Sequence, residues 1–105
     1  MARGVVTVVK RVRALAARQQ VRFTLKALRE LARLGLDELD ACEALAGLRT
    51  ADFSQALRSA ATGEWMYVFK PGIGGASVYV KLILRGTCVI VSFHEDEDEH
   101  EDETA

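Results

Sequence analysis

The hydrophobic period of this chain changes once, at Gly63, and that change most constrains what it can fold into. Before Gly63, apolar residues recur at helical spacing. After it come three runs, EWMYVFK (64–70), SVYVKLIL (77–84) and TCVIVSFH (87–94), rich in aromatic and β-branched residues. Such runs read as strands. They are joined by PGIGGA and by Arg85-Gly86. The second connection is a two-residue X-Gly turn, which predicts a hairpin. Helices first and an antiparallel meander afterwards give an α+β fold, with the N-terminal helices packed on the C-terminal meander.

The helical part divides at its punctuation. Val9, Val12, Leu15 and Ala16 predict a helix over about 9–18. Gln20 to Phe23 reads either as a short strand or as a connection. Thr24 is placed to cap a second helix running to about Leu34 and stopped by Gly35, with Leu25, Leu28, Leu31 and Ala32 as its apolar side. Asp37, with Asp40 three positions on, starts a third helix over about 38–47 that buries Leu39, Ala41, Cys42 and Leu45. Thr50 is placed to cap a fourth short helix across 51–60.

The net charge of −1 hides a split. Residues 1–93 hold all 14 Lys and Arg against seven Asp and Glu, whereas residues 94–105 hold the other eight acids and neither Lys nor Arg. A basic body points to a polyanionic partner. Residues 95–105 cannot bury enough apolar area to offset ordering, so they predict a disordered acidic tail after a single domain over 1–94.

Several classes are excluded. No apolar run approaches the roughly 20 residues of a membrane span, so no membrane association is expected. The apolar segment VVTVV, followed at once by Lys10, Arg11 and Arg13, is too short for the core of a signal peptide. Cys42 and Cys88 form no CxxC. Neither a disulfide framework nor a metal site is expected, and a reducing, cytoplasmic setting is. Nucleotide-binding glycine motifs and H-E-x-x-H are missing, and no cofactor is expected.

The hairpin register locates a candidate site. A two-residue turn at Arg85-Gly86 sets Leu84 opposite Thr87, Ile83 opposite Cys88, Lys81 opposite Ile90, Tyr79 opposite Ser92 and Ser77 opposite His94. Side chains alternate between faces. Val78, Val80, Leu82 and Leu84 then share a core face with Val89, Val91 and Phe93. The other face holds Ser77, Tyr79, Lys81 and Ile83 beside Cys88, Ile90, Ser92 and His94. Folding the first run back with Lys70 opposite Ser77 sends Trp65, Tyr67 and Phe69 to the core and Met66, Val68 and Lys70 to the open face. That face gathers Lys70, Tyr79, Lys81, Ser92 and His94.

Two cations, a phenol, a hydroxyl and an imidazole suit phosphate chemistry. Cations stabilise phosphate charge, and an imidazole exchanges protons near neutral pH. RNA carries its own nucleophile, the 2′-hydroxyl. The alternative is a solvated sheet face with a lone histidine. A second feature is read on the second helix: Arg22, Lys26, Arg29 and Arg33, at i, i+4, i+7 and i+11, fall on one stripe at about 100° per residue. The stripe reads either as a phosphate track or as a solvated helix face.

These residues sit among longer matches. LGLDELDACEALAGL (34–48), ADFSQAL (51–57), EWMYVFKP (64–71), SVYVKLIL (77–84) and CVIVSF (88–93) resemble the MqsR family of toxins, over about residues 10–94 and in the same order. The most specific pieces are Leu-Gly-Leu-Asp, Asp52-Phe53, Trp65, Pro71, the VYVK run and the VSF run.

The resemblance implies a RelE-like α+β fold and a type II toxin–antitoxin role. It implies a metal-independent endoribonuclease that cleaves mRNA and blocks translation. The implied partner is a cognate antitoxin with a zinc-binding part and a DNA-binding helix-turn-helix part. The family's active-site tyrosine and lysine are matched by Tyr79 and Lys81, and its basic residue before the proline by Lys70. Its lysine after the VSF run is replaced by His94, another lysine by Gln55, and a glutamine after the tryptophan by Met66.

Two functions follow as expectations. In the first, His94, Tyr79 and Lys81 are catalytic, while Lys70, Gln55, Arg22, Lys26, Arg29 and Arg33 bind substrate. In the second, the chain is a weak or inactive module that keeps the fold and binds RNA or antitoxin. The acidic tail would then imitate nucleic acid on the basic stripe.

Overall fold

A computed structural model describes residues 4–97. Three helices, α1 (Val5–Ala17), α2 (Leu25–Arg33) and α3 (Glu38–Ala46), alternate with and precede six strands. The strands are β1 (Val21–Phe23), β2 (Phe53–Arg58), β3 (Trp65–Phe69), β4 (Gly72–Ile73), β5 (Ala76–Leu84) and β6 (Cys88–Glu95). The sheet order is β1-β6-β5-β3-β2, with β4 paired to β5. All pairings are antiparallel except β1 with β6. The α+β class expected from the change of period is therefore the observed one.

Local chemistry sets the helix ends. The Thr24 side chain accepts the Ala27 N–H at 3.1 Å, as an N-cap should. Gly35, at φ 72°, ends α2: its N–H reaches Ala32 O and the Leu36 N–H reaches Leu31 O, satisfying the last carbonyls. Asp37 and Asp40 cap α3 reciprocally, each carboxylate accepting the other's backbone N–H at 2.9 Å. Helix α1 starts earlier than expected, at Val5. Its β-branched start has weak helix propensity, but Val8 and Val9 are buried and packing decides.

One expectation about the elements is corrected and one alternative is resolved. The stretch from Thr50 is not a helix over 51–60. A single 3₁₀ turn, Thr50–Asp52, leads into β2. Asp52 closes that turn by accepting the Arg49 N–H and pairing with its guanidinium, and Phe53 then meets Phe69 edge-on at 5.6 Å. Burial on a neighbouring strand outweighs helical propensity here. Gln20–Phe23 resolves in favour of a strand, so Arg22 lies in β1 and not on the second helix.

The helices cover one face of the sheet. Val8, Val12, Leu31, Leu45 and Leu48 meet Phe69, Val80, Leu82, Ile90 and Phe93, all essentially inaccessible to water. Trp65 and Tyr67 join this cluster, as the alternation predicts.

The β5–β6 register differs from a two-residue hairpin. Leu84 lies opposite Cys88, so the turn spans Arg85–Thr87, with Gly86 at φ 80°. Arg85 bridges from this turn to Glu64 before β3. A bulge follows: Leu82 opposes Ile90 while Lys81 opposes Ser92, leaving Val91 unmatched. Cys88 and Ile90, expected on the open face, therefore point into the core. Val89 and Val91, expected inside, are only partly buried.

Helix α2 finishes the edge that β1 leaves uncovered. Thr24 Oγ1 donates to Val91 O at 3.2 Å, and the Phe93 N–H donates to Glu30 Oε1 at 2.9 Å. The short β1 thus hands over to helix side chains, and β6 keeps few unpaired groups. The structured part runs past His94, since Glu95 ends β6. The expectation of disorder falls mainly on 98–105, outside the described residues. Among the described residues, no helix is long and apolar enough to cross a membrane.

Candidate functional site

The face of the sheet turned away from the helices is organised in rows by the ladder. Gln55 on β2, Val68 on β3, Lys81 on β5 and Ser92 on β6 form one row across four strands. In the next row Tyr79 lies opposite His94. Lys70 follows β3. The pairs Phe69–Val80 and Gly72–Ser77 share one register, which brings Lys70 alongside Tyr79 and not opposite Ser77 as expected. In the row beyond, the Asp96 N–H donates to Ser77 O at 2.9 Å.

Lys70, Tyr79, Lys81, Ser92 and His94 share one side of the sheet, as expected, but Ser92 is buried there, with Lys26 on its hydroxyl. Tyr79 and His94 stack with ring centroids 4.8 Å apart and planes 10° from parallel. His94 Nδ1 lies 2.8 Å from Glu95 O. A carbonyl only accepts, so this contact puts a hydrogen on Nδ1.

The cations fall into three groups. Lys26 reaches the sheet from α2: its Nζ donates to Ser92 Oγ at 2.9 Å and to Glu30 Oε2 at 3.1 Å. Arg22 pairs with Val89, the neighbour of Ile83, so the ladder sets it on the same open face as Lys81. Arg33 remains on α2 and lines a shallow cleft of about 230 Å³ with Glu30, Leu34, His94, Glu95 and Glu97. Arg29 is exposed on α2 and is not part of the cleft lining. The single stripe expected for the four is therefore divided, because Arg22 precedes the cap at Thr24.

Two acids matter here that sequence reading passed over. Glu30 binds both Phe93 N–H and Lys26. Burial pushes its carboxyl up, but the Phe93 N–H, the Lys26 ammonium and the charge of His94 outweigh it and hold the group below the usual range. Its spacing of four from Lys26 was the available signal. Asp96 is the other: one carboxylate oxygen accepts from Ser77 Oγ at 3.3 Å and the other lies 3.5 Å from Lys70 Nζ.

The thiols offer no nucleophile. Burial pushes Cys88 up to about 12, with Cys42 adding to it, and burial with Glu38 raises Cys42. Among the described residues, no group of three or more His, Cys, Asp and Glu is placed to hold a metal ion.

The profile of the family described as motility quorum-sensing regulator, toxin of MqsA, matches residues 6–95. This chain belongs to the MqsR toxin family. It is also similar to a protein of Escherichia coli (strain K12) named mRNA interferase toxin MqsR, with 32% identity over 90 residues, covering 85% of this chain and 92% of that one. The MqsR match spans nearly all of α1 through β6 and stops as the acidic segment begins. Of the candidate residues, only Asp96 lies beyond it.

Proposed function

We propose that this chain is an endoribonuclease toxin that cleaves single-stranded mRNA and so inhibits translation. The observation that carries the reading is the placement of Tyr79, Lys81 and His94 on one face, in adjacent rows, with Lys70 beside Tyr79. The family membership and the relative's name supply the substrate class.

The chemistry uses groups of the RNA and of the chain. His94 takes the proton of a 2′-hydroxyl as the O2′–P bond forms and the P–O5′ bond breaks. The products are a 2′,3′-cyclic phosphate and a 5′-hydroxyl, whose oxygen receives its proton from the Tyr79 hydroxyl, and the phenolate then regains the proton that His94 took. Lys81 and Lys70 stabilise the charge that builds on the phosphoryl oxygens. Tyr79 holds the imidazole plane by stacking and presents its hydroxyl to the phosphate. Lys26, Arg22 and Gln55 extend the binding surface on either side. In this reading residues 1–94 form one toxin domain that acts in the cytoplasm. It is held inactive by a separate antitoxin with zinc-binding and helix-turn-helix parts.

The test is purified protein on a long mixed-sequence RNA. Discrete fragments with 5′-hydroxyl ends, lost in His94→Ala and strongly reduced in Tyr79→Phe, are expected. Fragments that persist in His94→Ala would remove His94 from the mechanism. RNA binding without any fragments would favour the second reading, a non-catalytic module. That reading is supported by the departures from the family at His94, Gln55 and Met66.

A further inference from the structure

The acidic segment does not merely follow the sheet; its first residues are docked on it. Asp96 continues the β6 ladder opposite Ser77 and donates its N–H to Ser77 O. Its carboxylate is 7% exposed, with one oxygen on Ser77 Oγ and the other on Lys70 Nζ. Two oxygens of one anion, one on a hydroxyl and one on an ammonium, reproduce how the non-bridging oxygens of a phosphate are held. Lys70 is one of the cations that the nuclease reading assigns to the phosphate. Glu95 and Glu97 lie with His94 and Arg33 along the adjoining cleft.

We propose that Asp96 and the acids after it are an intramolecular occupant of the phosphate-binding face, which RNA must displace. The proposal rests on reading that face as the RNA site. Charge complementarity supports it. On this side of the sheet β2, β3 and β5 set Gln55, Met66, Tyr79 and Lys81 beside the buried Val68 and Ile83, with no carboxylate among them, and with Lys70 at one end and Arg22 at the other.

Reach supports it too. Residues 98–105 carry five acids, and eight residues span up to roughly 26–29 Å when extended. Lys81 lies four residues along β5 from Ser77, about 13 Å. The segment also lies outside the part that the family match covers, so the shared fold does not require it. The expected target thus moves from the helix stripe to the Lys70 end of the sheet.

The test compares three full-length proteins. They are the natural chain, Asp96→Asn, and a chain in which Asp98, Glu99, Glu101, Asp102 and Glu103 are changed to their amides. The probe is a labelled single-stranded RNA with 2′-methoxy groups, which cannot be cleaved, titrated by anisotropy across a tenfold range of NaCl. Both altered chains are expected to bind more tightly and with a steeper salt dependence. Unmasking two phosphate contacts at about 0.7 each steepens the log–log slope by about 1.4, so a tenfold fall in salt widens the difference by about 25-fold. Lys70→Gln combined with Asp96→Asn is expected to cancel the gain of Asp96→Asn.

Equal affinities and slopes for the natural and amide chains would overturn the proposal, and so would weaker binding by the amide chain. If circular dichroism shows that Asp96→Asn fails to fold, the amide chain still decides. A detached peptide of residues 95–105 is also expected to compete RNA from it. Cleavage of ordinary RNA is read separately. Its absence in every chain counts against the nuclease reading and leaves the binding comparison intact.

Discussion

Glu30 accepts the backbone N–H of Phe93 at 2.9 Å, from a helix to a strand 63 positions away. The same carboxylate takes the Lys26 ammonium, which in turn holds Ser92 Oγ. One acid therefore fixes the segment that carries His94, on the side where β1 no longer pairs with β6. Replacing Glu30 with Ala leaves the Phe93 N–H without its acceptor in a part-buried site, and the expected cost is about 1–3 kcal/mol. Urea unfolding at neutral pH measures it, and Glu30→Gln, which keeps an acceptor, is expected to lose less.

The pH dependence of that loss has a definite sign. The Glu30 carboxyl sits below the usual range in the folded chain, so the folded state favours its ionised form. Its contribution is fully present above the unfolded value, about 4.3. It disappears as pH falls through the lower folded value. The stability difference between the natural chain and Glu30→Gln is expected to be nearly constant from about pH 5 to 7, above the unfolded value, and to shrink on acidification. A difference that grows as pH falls would contradict the assignment.

His94→Lys tests whether the imidazole stands in for the lysine that the family resemblance implies at this position. An ammonium exchanges its proton only in alkali, at about 10.4 when unperturbed. Cleavage by His94→Lys is therefore expected to survive, with its pH–rate profile moved to higher pH, whereas His94→Ala abolishes it. An unchanged profile would mean that position 94 binds phosphate without moving a proton.

The open face was legible in the sequence through a cancellation. The two-residue turn expected at Arg85-Gly86 places every pair one residue off near the turn, where Leu84 meets Cys88 and not Thr87. The bulge at Val91 adds a second residue in the same direction. Side chains alternate with a period of two, so past the bulge Ser92, Phe93 and His94 return to the expected faces. Between turn and bulge there is no such correction, so Cys88 and Ile90 face the core and not the side that a two-residue turn predicts. Neither the bulge nor the parallel β1 is written locally, because both depend on α2 and β1 covering the edge of β6. The caps at Thr24 and Asp37 were legible because their partners lie three residues away. The contact of Asp96 with Lys70 was not, since 26 positions separate them.

Cys88 gives a prediction in the opposite pH range. Burial raises its thiol to about 12, so the folded chain favours the neutral form. That contribution is present below the unfolded value of about 8.5 and is lost as pH rises towards about 12. Stability is expected to fall over this interval, and less so in Cys88→Ala, whose lower baseline reflects the lost packing. Thiol labelling is expected to proceed only through opening of the fold, so its rate should track added urea. Prompt labelling of Cys88 in the native chain would contradict its burial.

Arg22 and Arg29 separate the sheet face from the helix as the track for RNA. Both are exposed arginines, seven positions apart, and a helical stripe would make them equivalent. The ladder instead sets Arg22 on the face that carries Lys81, while Arg29 stays on α2. Removing one phosphate contact to single-stranded RNA lowers the salt slope by about 0.7 and weakens binding uniformly across sequences. Arg22→Gln is expected to do this to 2′-methoxy RNA binding, and Arg29→Gln to leave slope and affinity within about twofold. Equal losses for the two would return the track to the helix and detach RNA binding from the row that holds Lys81.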